Sequence, residues 1–140
     1  EPFDRNFNLD YFVKYINGKK RVIKDLLMDQ KFVSGLGNIY VNEILFFSNI
    51  NPKRKISNLK EFELLQIIKN IKKVLKKAIL FGGSTIKDFK SSSGKLGEFQ
   101  QHFKVYGKKG HQCSNLDCKG KVKKITISNR SSFFCSICQK

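Results

Sequence analysis

Four cysteines, Cys113, Cys118, Cys135 and Cys138, fall within 26 residues of a 140-residue chain, spaced C-x4-C-x16-C-x2-C. Two close pairs of thiolates, separated by enough chain for a β-hairpin, suit tetrahedral zinc at roughly 2.3 Å per bond. Four thiolates leave no open position, so one such ion would be structural and not catalytic. A unit of about 30 residues cannot hold itself together by apolar burial alone, and the metal would supply its folding energy. Two disulfides or an iron–sulfur cluster are the competing readings of the same residues. The opening EPFDRNF is no signal peptide and nothing suggests export, which disfavours disulfides. His102 and His111 are left over as surface residues.

A second stretch with chemical potential is GLGN, ending at Asn38 and followed by the apolar IYVNEILFFSNI. Gly35 and Gly37 allow a tight turn and a close approach to a partner. A helix beginning near Asn38 would point unpaired N–H groups outward, a setting that suits phosphate. Asn38 could cap that helix or donate its amide to a phosphate oxygen; the same pattern is also met in plain turns. The charge supports an anionic partner: 28 basic against 11 acidic residues give +17. Only Arg5, Arg21, Arg54 and Arg130 are arginine. The preference for lysine fits A/T-rich coding, which does not explain the shortage of acids. A polyanion does, and nucleic acid is the commonest one.

The elements that must position these groups are mostly helical. Apolar residues between 10 and 28 predict two short helices, or one interrupted at NGKK. A helix after GLGN should stop before Asn51-Pro52. Asn58 and Glu61 form a plausible capping pair for a long helix. Its expected apolar stripe includes Phe62, Leu64, Leu65, Ile67, Ile71, Val74, Leu75, Ala78 and Ile79, and its expected end is Gly82-Gly83. Residues 91–110 read as a loop and linker. In the tail, KVKKITI and SSFFC are predicted strands, joined around Ser128-Asn129-Arg130. The expected class is mainly α with a small zinc-bound β-hairpin, and no stretch reaches a membrane span.

Taken together, LLMDQKFVSGLGNIYVNEILFFSNINPKR, GGSTIKDF, FKVYGKKG and the four-cysteine unit closing in CQK resemble the formamidopyrimidine-DNA glycosylase family, in the family's order. These enzymes excise oxidised purines from DNA, and endonuclease VIII is a relative. The resemblance implies the family's C-terminal half. Residues 1–90 would be a helix–two-turns–helix DNA-binding domain, 91–110 a loop of the lesion-recognition type with a linker, and 111–140 the zinc finger. Asn38 matches the family's phosphate-binding Asn, beside Gly37. Lys20 matches a DNA-contacting position, Lys24 lies where the family also has Lys, and Tyr106 sits where the chain passes the phosphates. Arg130 matches the finger-tip Arg, placed at the lesion's phosphates and credited with a part in the elimination step. A guanidinium is a poor proton donor but holds phosphate in a planar fork, which favours the clamp over the acid role. Leu96 and Glu98 depart from the family's usual Pro and aromatic residue, which leaves lesion preference open.

The resemblance further implies a bifunctional glycosylase and AP lyase of base-excision repair. It would act as a monomer on damaged or abasic duplex DNA in a bacterial cytosol. Its chemistry uses an N-terminal Pro followed by Glu, within an N-terminal β-sandwich. Here Glu1-Pro2 has the wrong order and matches the stretch joining the family's two domains. The expectation is that this chain, without that β-sandwich, binds DNA and does not cut it. A free-standing nucleic-acid-binding zinc module and a decayed gene product are the alternatives.

Overall fold

Asn8 starts the first helix by capping it. Its backbone is extended, and its side-chain oxygen accepts from the Tyr11 N–H at 3.0 Å. The computed structural model describes residues 1–80 and 102–140. Over these the order is α1 (Leu9–Ile16), α2 (Ile23–Met28), α3 (Asn38–Phe47), a 3-10 turn (Ile56–Asn58), α4 (Glu61–Leu80), β1 (Val122–Ile127) and β2 (Arg130–Cys135). The interruption at Asn17-Gly18 therefore separates two helices. Among the described residues, no helix is long and apolar enough to cross a membrane.

Helix α3 is apolar on nearly every face and accordingly sits at the centre, with all residues from Ile39 to Phe46 buried. Around it pack Phe12 of α1, Leu26 and Leu27 of α2, and Ile67 and Ile71 of α4, each fully buried. Each such side chain contributes about 1.5–3 kcal/mol of burial. Phe7, Tyr11, Tyr15 and Phe32 close one side, the Tyr11 hydroxyl donating to the Phe32 carbonyl at 2.5 Å. The buried stripe of α4 is Leu64, Ile67, Ile68, Ile71, Val74, Leu75 and Ala78. Phe62, Leu65 and Ile79, expected in that stripe, are exposed. Helical spacing places residues on a face without saying how wide a face the neighbours cover.

The expected cap of α4 is also corrected. Asn58 ends the 3-10 turn, and its carbonyl accepts from Arg54. The reach-back is made instead by Glu63, whose Oε1 accepts the Lys60 N–H at 2.9 Å. Arg54 clasps the same Glu63 at 2.9 and 3.1 Å. The expected end of α4 at Gly82-Gly83 and the loop from Lys90 to Phe99 lie outside the described residues.

The two strands form one antiparallel hairpin, with Ile127 opposite Arg130 and Val122 opposite Cys135. Ser128 and Asn129 make the turn, both with positive φ (48° and 65°). That pair of angles marks a two-residue turn whose twist matches the strands, and asparagine tolerates it well. Phe46 of α3 enters a second core with Val105, Val122, Phe133, Cys113 and Cys135. The hairpin unit is thus seated directly on α3.

Candidate metal centre and anion-facing surface

The four cysteine sulfurs lie within 4.8 Å of one another. Neighbouring separations are 3.8 Å for Cys113–Cys138, 3.7 Å for Cys118–Cys135 and 3.3 Å for Cys118–Cys138. A tetrahedron with 2.3 Å metal–sulfur bonds has edges of about 3.8 Å, so the cluster fits a metal ion. The separations are far beyond a bonded pair, and all four cysteines are free, which removes the disulfide reading. Burial pushes the Cys113 thiol up to about 12. A cation is what would make such a set of thiols give up their protons.

The surrounding backbone is shaped for the cluster. The widened first pair is accommodated by Asp117 in the left-handed region (φ 63°) and by a turn from the Cys118 N–H to the Asn115 carbonyl. Gly120 donates its N–H to the Cys118 sulfur at 3.4 Å, and a Cβ there would stand 2.9 Å from the Cys135 sulfur. Gln139 fixes the second pair. Its Oε1 accepts the Cys135 N–H at 2.9 Å, and its Nε2 donates to the Ile50 carbonyl at 3.0 Å. His111 and His102 are exposed and outside the cluster.

One face of the hairpin meets the start of α3. Gly35 (φ 87°) makes the preceding turn, which Gln30 holds from both sides. Gly37 is the N-cap in extended conformation, and a Cβ there would have nothing within 4 Å. Its glycine is therefore not demanded by the fold and leaves the helix end open to approach. Asn38 is the first helical residue and does not cap; its Nδ2 donates to the Ser131 carbonyl at 3.0 Å. Ser131 follows Arg130, which is exposed at the hairpin tip. The structure thus brings together Asn38, the finger-tip arginine strand and the N-terminus of α3.

Lys24 joins this group from beneath. It is 1% exposed, and its Nζ donates to Ser132 Oγ at 2.6 Å and to the Ser131 carbonyl at 3.3 Å. Burial brings its pKa down from 10.5 to about 8, with Asp25 opposing and Arg130 reinforcing the shift. Between those values the unfolded chain holds the proton more firmly, so this group makes stability rise with pH from about 8 to 10.5. Below 8 both states are charged and the burial penalty is full, about 3 kcal/mol. Lys24→Met should therefore gain most in thermal midpoint over the native protein at pH 7, and the gap should narrow toward pH 10. A gap independent of pH would contradict the burial of that charge.

Tyr106 is half-buried, its ring against Phe103 and Phe133. Its backbone N–H, with those of Lys104 and Val105, donates to Glu43 of α3 at 3.0, 2.6 and 2.9 Å. Burial pushes the Glu43 carboxyl up, while the three N–H groups pull it down less strongly. Lys20 is exposed in the turn before α2, outside the hydrogen bonds that gather Asn38, Lys24 and Ser131. Sequence reasoning missed Asn42, Glu43, Ser132 and Gln139. The signal for two of them was present: Asn42-Glu43 interrupts an otherwise apolar helix, and buried polar groups require partners.

Residues 1–90 match the family model described as the formamidopyrimidine-DNA glycosylase H2TH domain. The formamidopyrimidine-DNA glycosylase of Ruegeria pomeroyi is 43% identical over 140 residues, covering all of this chain and 50% of that protein. That of Vibrio atlanticus is 45% identical over 139 residues, covering 99% of this chain and 51% of the relative. The chain spans about half the length of the curated relatives it matches. Among solved structures, the Lactococcus lactis enzyme complexed with abasic-site DNA superposes with a TM-score of 0.86 at 35% identity, over 100% of this chain and 50% of that one. MutM in complex with DNA containing carbocyclic 8-oxo-G gives 0.85 at 34%, over 100% and 49%. With the family model matched over residues 1–90 and these structures superposing over the whole chain, the chain belongs to the formamidopyrimidine-DNA glycosylase family.

Proposed function

We propose that these 140 residues are the DNA-gripping half of a base-excision-repair glycosylase and AP lyase that removes oxidised purines from duplex DNA. The observation that carries this is the Asn38–Ser131 bond, which sets Arg130 beside the open N-terminus of α3. Arg130, the amide of Asn38 and the first N–H groups of α3 then converge on one DNA phosphate. Lys24 adds positive charge from below, Gly37 leaves room for the backbone, and Lys20 and Tyr106 extend the contact along the strand. Bending the duplex and holding the phosphates beside the lesion would favour extrusion of the damaged nucleotide. The relatives that support this reading were solved on abasic, 8-oxo-G and related DNA. The division into a binding domain at 1–90, a loop and linker at 91–110 and a finger at 111–140 is part of the same proposal.

One zinc held by Cys113, Cys118, Cys135 and Cys138 would be structural, since four thiolates complete its shell. Its work is to keep the hairpin folded. Bond cleavage is a separate matter. Among the described residues Lys24 has the one amine whose pKa is lowered, but it is 1% exposed and donates to Ser132. It cannot reach a sugar C1′, and we expect the chain by itself to bind DNA without attacking it.

Two measurements test this together. Arg130→Ala and Asn38→Ala should each weaken binding to an abasic-analogue duplex. Arg130→Ala should also reduce the slope of log affinity against log salt by about 0.9, one neutralised phosphate, whereas Asn38→Ala removes no charge and should leave the slope nearly unchanged. Borohydride added to the chain with abasic DNA should trap no covalent adduct. Unchanged affinities would leave both residues as structural, and an adduct would reveal a nucleophile within these residues.

A further inference from the structure

The Ser131 carbonyl is oversubscribed. It receives Asn38 Nδ2 at 3.0 Å, Lys24 Nζ at 3.3 Å and Asn42 Nδ2 at 3.4 Å, whereas a carbonyl oxygen has two lone pairs. One donor can leave without orphaning it. Asn38 is half-exposed, and Lys24 and Asn42 are 1% and 2% exposed. The donor free to turn outward is therefore Asn38.

Asn42 is built to stay. The Phe133 N–H donates to its Oδ1 at 2.6 Å, which settles which end of the amide is oxygen. Its Nδ2 then donates to the Asn38 carbonyl at 2.8 Å as well as to Ser131. One buried amide thus joins two points of β2, on either side of Ser132, to the first turn of α3. We propose that Asn42 is a positioning residue that holds the Arg130 strand at the α3 N-terminus, so that the Asn38 amide can exchange Ser131 for a DNA phosphate. This rests on the reading of Arg130 and Asn38 as phosphate ligands. Buried as it is, Asn42 has no access to DNA itself and would act only through them.

The test is a double-mutant cycle on the metal-loaded 140-residue chain, with a duplex containing a tetrahydrofuran abasic analogue. Asn42→Ala should weaken binding about tenfold in the native background and less than twofold when Arg130→Ala is already present. Asn42→Asp covers the case in which the alanine variant does not fold, because it is isosteric and keeps the acceptor for Phe133. Ionised, it loses both donations and faces two carbonyls, with the Lys24 ammonium on the Ser131 carbonyl as the neighbouring cation; protonated, it recovers a donor. Its affinity relative to the native protein, measured at equal pH, should rise toward one as pH falls from 8 to 5.5. Equal Asn42→Ala losses in both backgrounds, or a pH-independent Asn42→Asp ratio, would show a merely structural amide and overturn this inference alone. A native chain with no duplex affinity would overturn the DNA reading and this inference with it.

Discussion

Stripping the metal with a chelator, or replacing Cys135 by Ser, should unfold the hairpin and abolish duplex binding. The size of the effect follows from what else holds residues 111–140. Their own apolar core is Val122, Phe133 and the cysteines, completed by Val105 and by Phe46 from α3. That is little burial for so much ordered chain, whereas structural zinc contributes on the order of 10–16 kcal/mol in comparable small fingers. The whole protein's net stability is expected at about 5–15 kcal/mol. Loss of the metal therefore exceeds what the remaining contacts can offset locally. Amide exchange should show residues 122–135 losing protection, with α3 and α4 retaining much of theirs through Ile44, Ile67 and Ile71. Metal analysis of the intact chain should find one zinc. A hairpin that keeps its protection in chelator would contradict the metal's role.

The second large effect is expected at Glu43. Removing its carboxylate by Glu43→Ala leaves the N–H groups of Lys104, Val105 and Tyr106 without their acceptor, against a helix face that is buried. Each stranded group costs about 1–3 kcal/mol, so a loss of about 3–5 kcal/mol is expected. Glu43→Gln separates the contributions. Its remaining oxygen can serve Val105 and Tyr106, which share Oε2, while its amide would face the Lys104 N–H donor to donor. About half the loss should be recovered. Chemical denaturation gives the magnitudes, and exchange at residues 104–106 locates them. If Glu43→Ala lost under about 1 kcal/mol, water or another group would have to satisfy those amides, and Glu43 would not be the anchor of this segment.

The parts of this arrangement legible in the sequence were those with a period or a fixed spacing. Cysteine spacing gave the cluster, and the long stretch between the two cysteine pairs gave the hairpin. Glycine and proline bounded α3. Long-range polar pairing has no such signature. Nothing local distinguishes Ser131 from Ser132, yet one offers its carbonyl and the other its hydroxyl to the same lysine, more than 100 positions away. Lys24 illustrates the same limit. Its position suggested a contact with DNA, while the structure buries it under the hairpin, where any effect on a phosphate passes through charge and not through touch. Phe62 and Leu65 were misplaced because spacing reports a stripe but not the width that neighbours cover. Gly37 showed that a glycine in a turn motif need not be there for its backbone angles.

The central claim is that Arg130 and Asn38 grip the same phosphate. Methylphosphonate scanning measures this directly, by replacing one phosphate oxygen at a time in an abasic-analogue duplex with a neutral methyl group. For the native chain, affinity should fall sharply at one phosphate or two adjacent ones near the lesion. For Arg130→Ala and for Asn38→Ala, the penalty at that same position should shrink while penalties elsewhere persist. Different positions silenced by the two variants, or an undiminished penalty in both, would contradict the shared clamp.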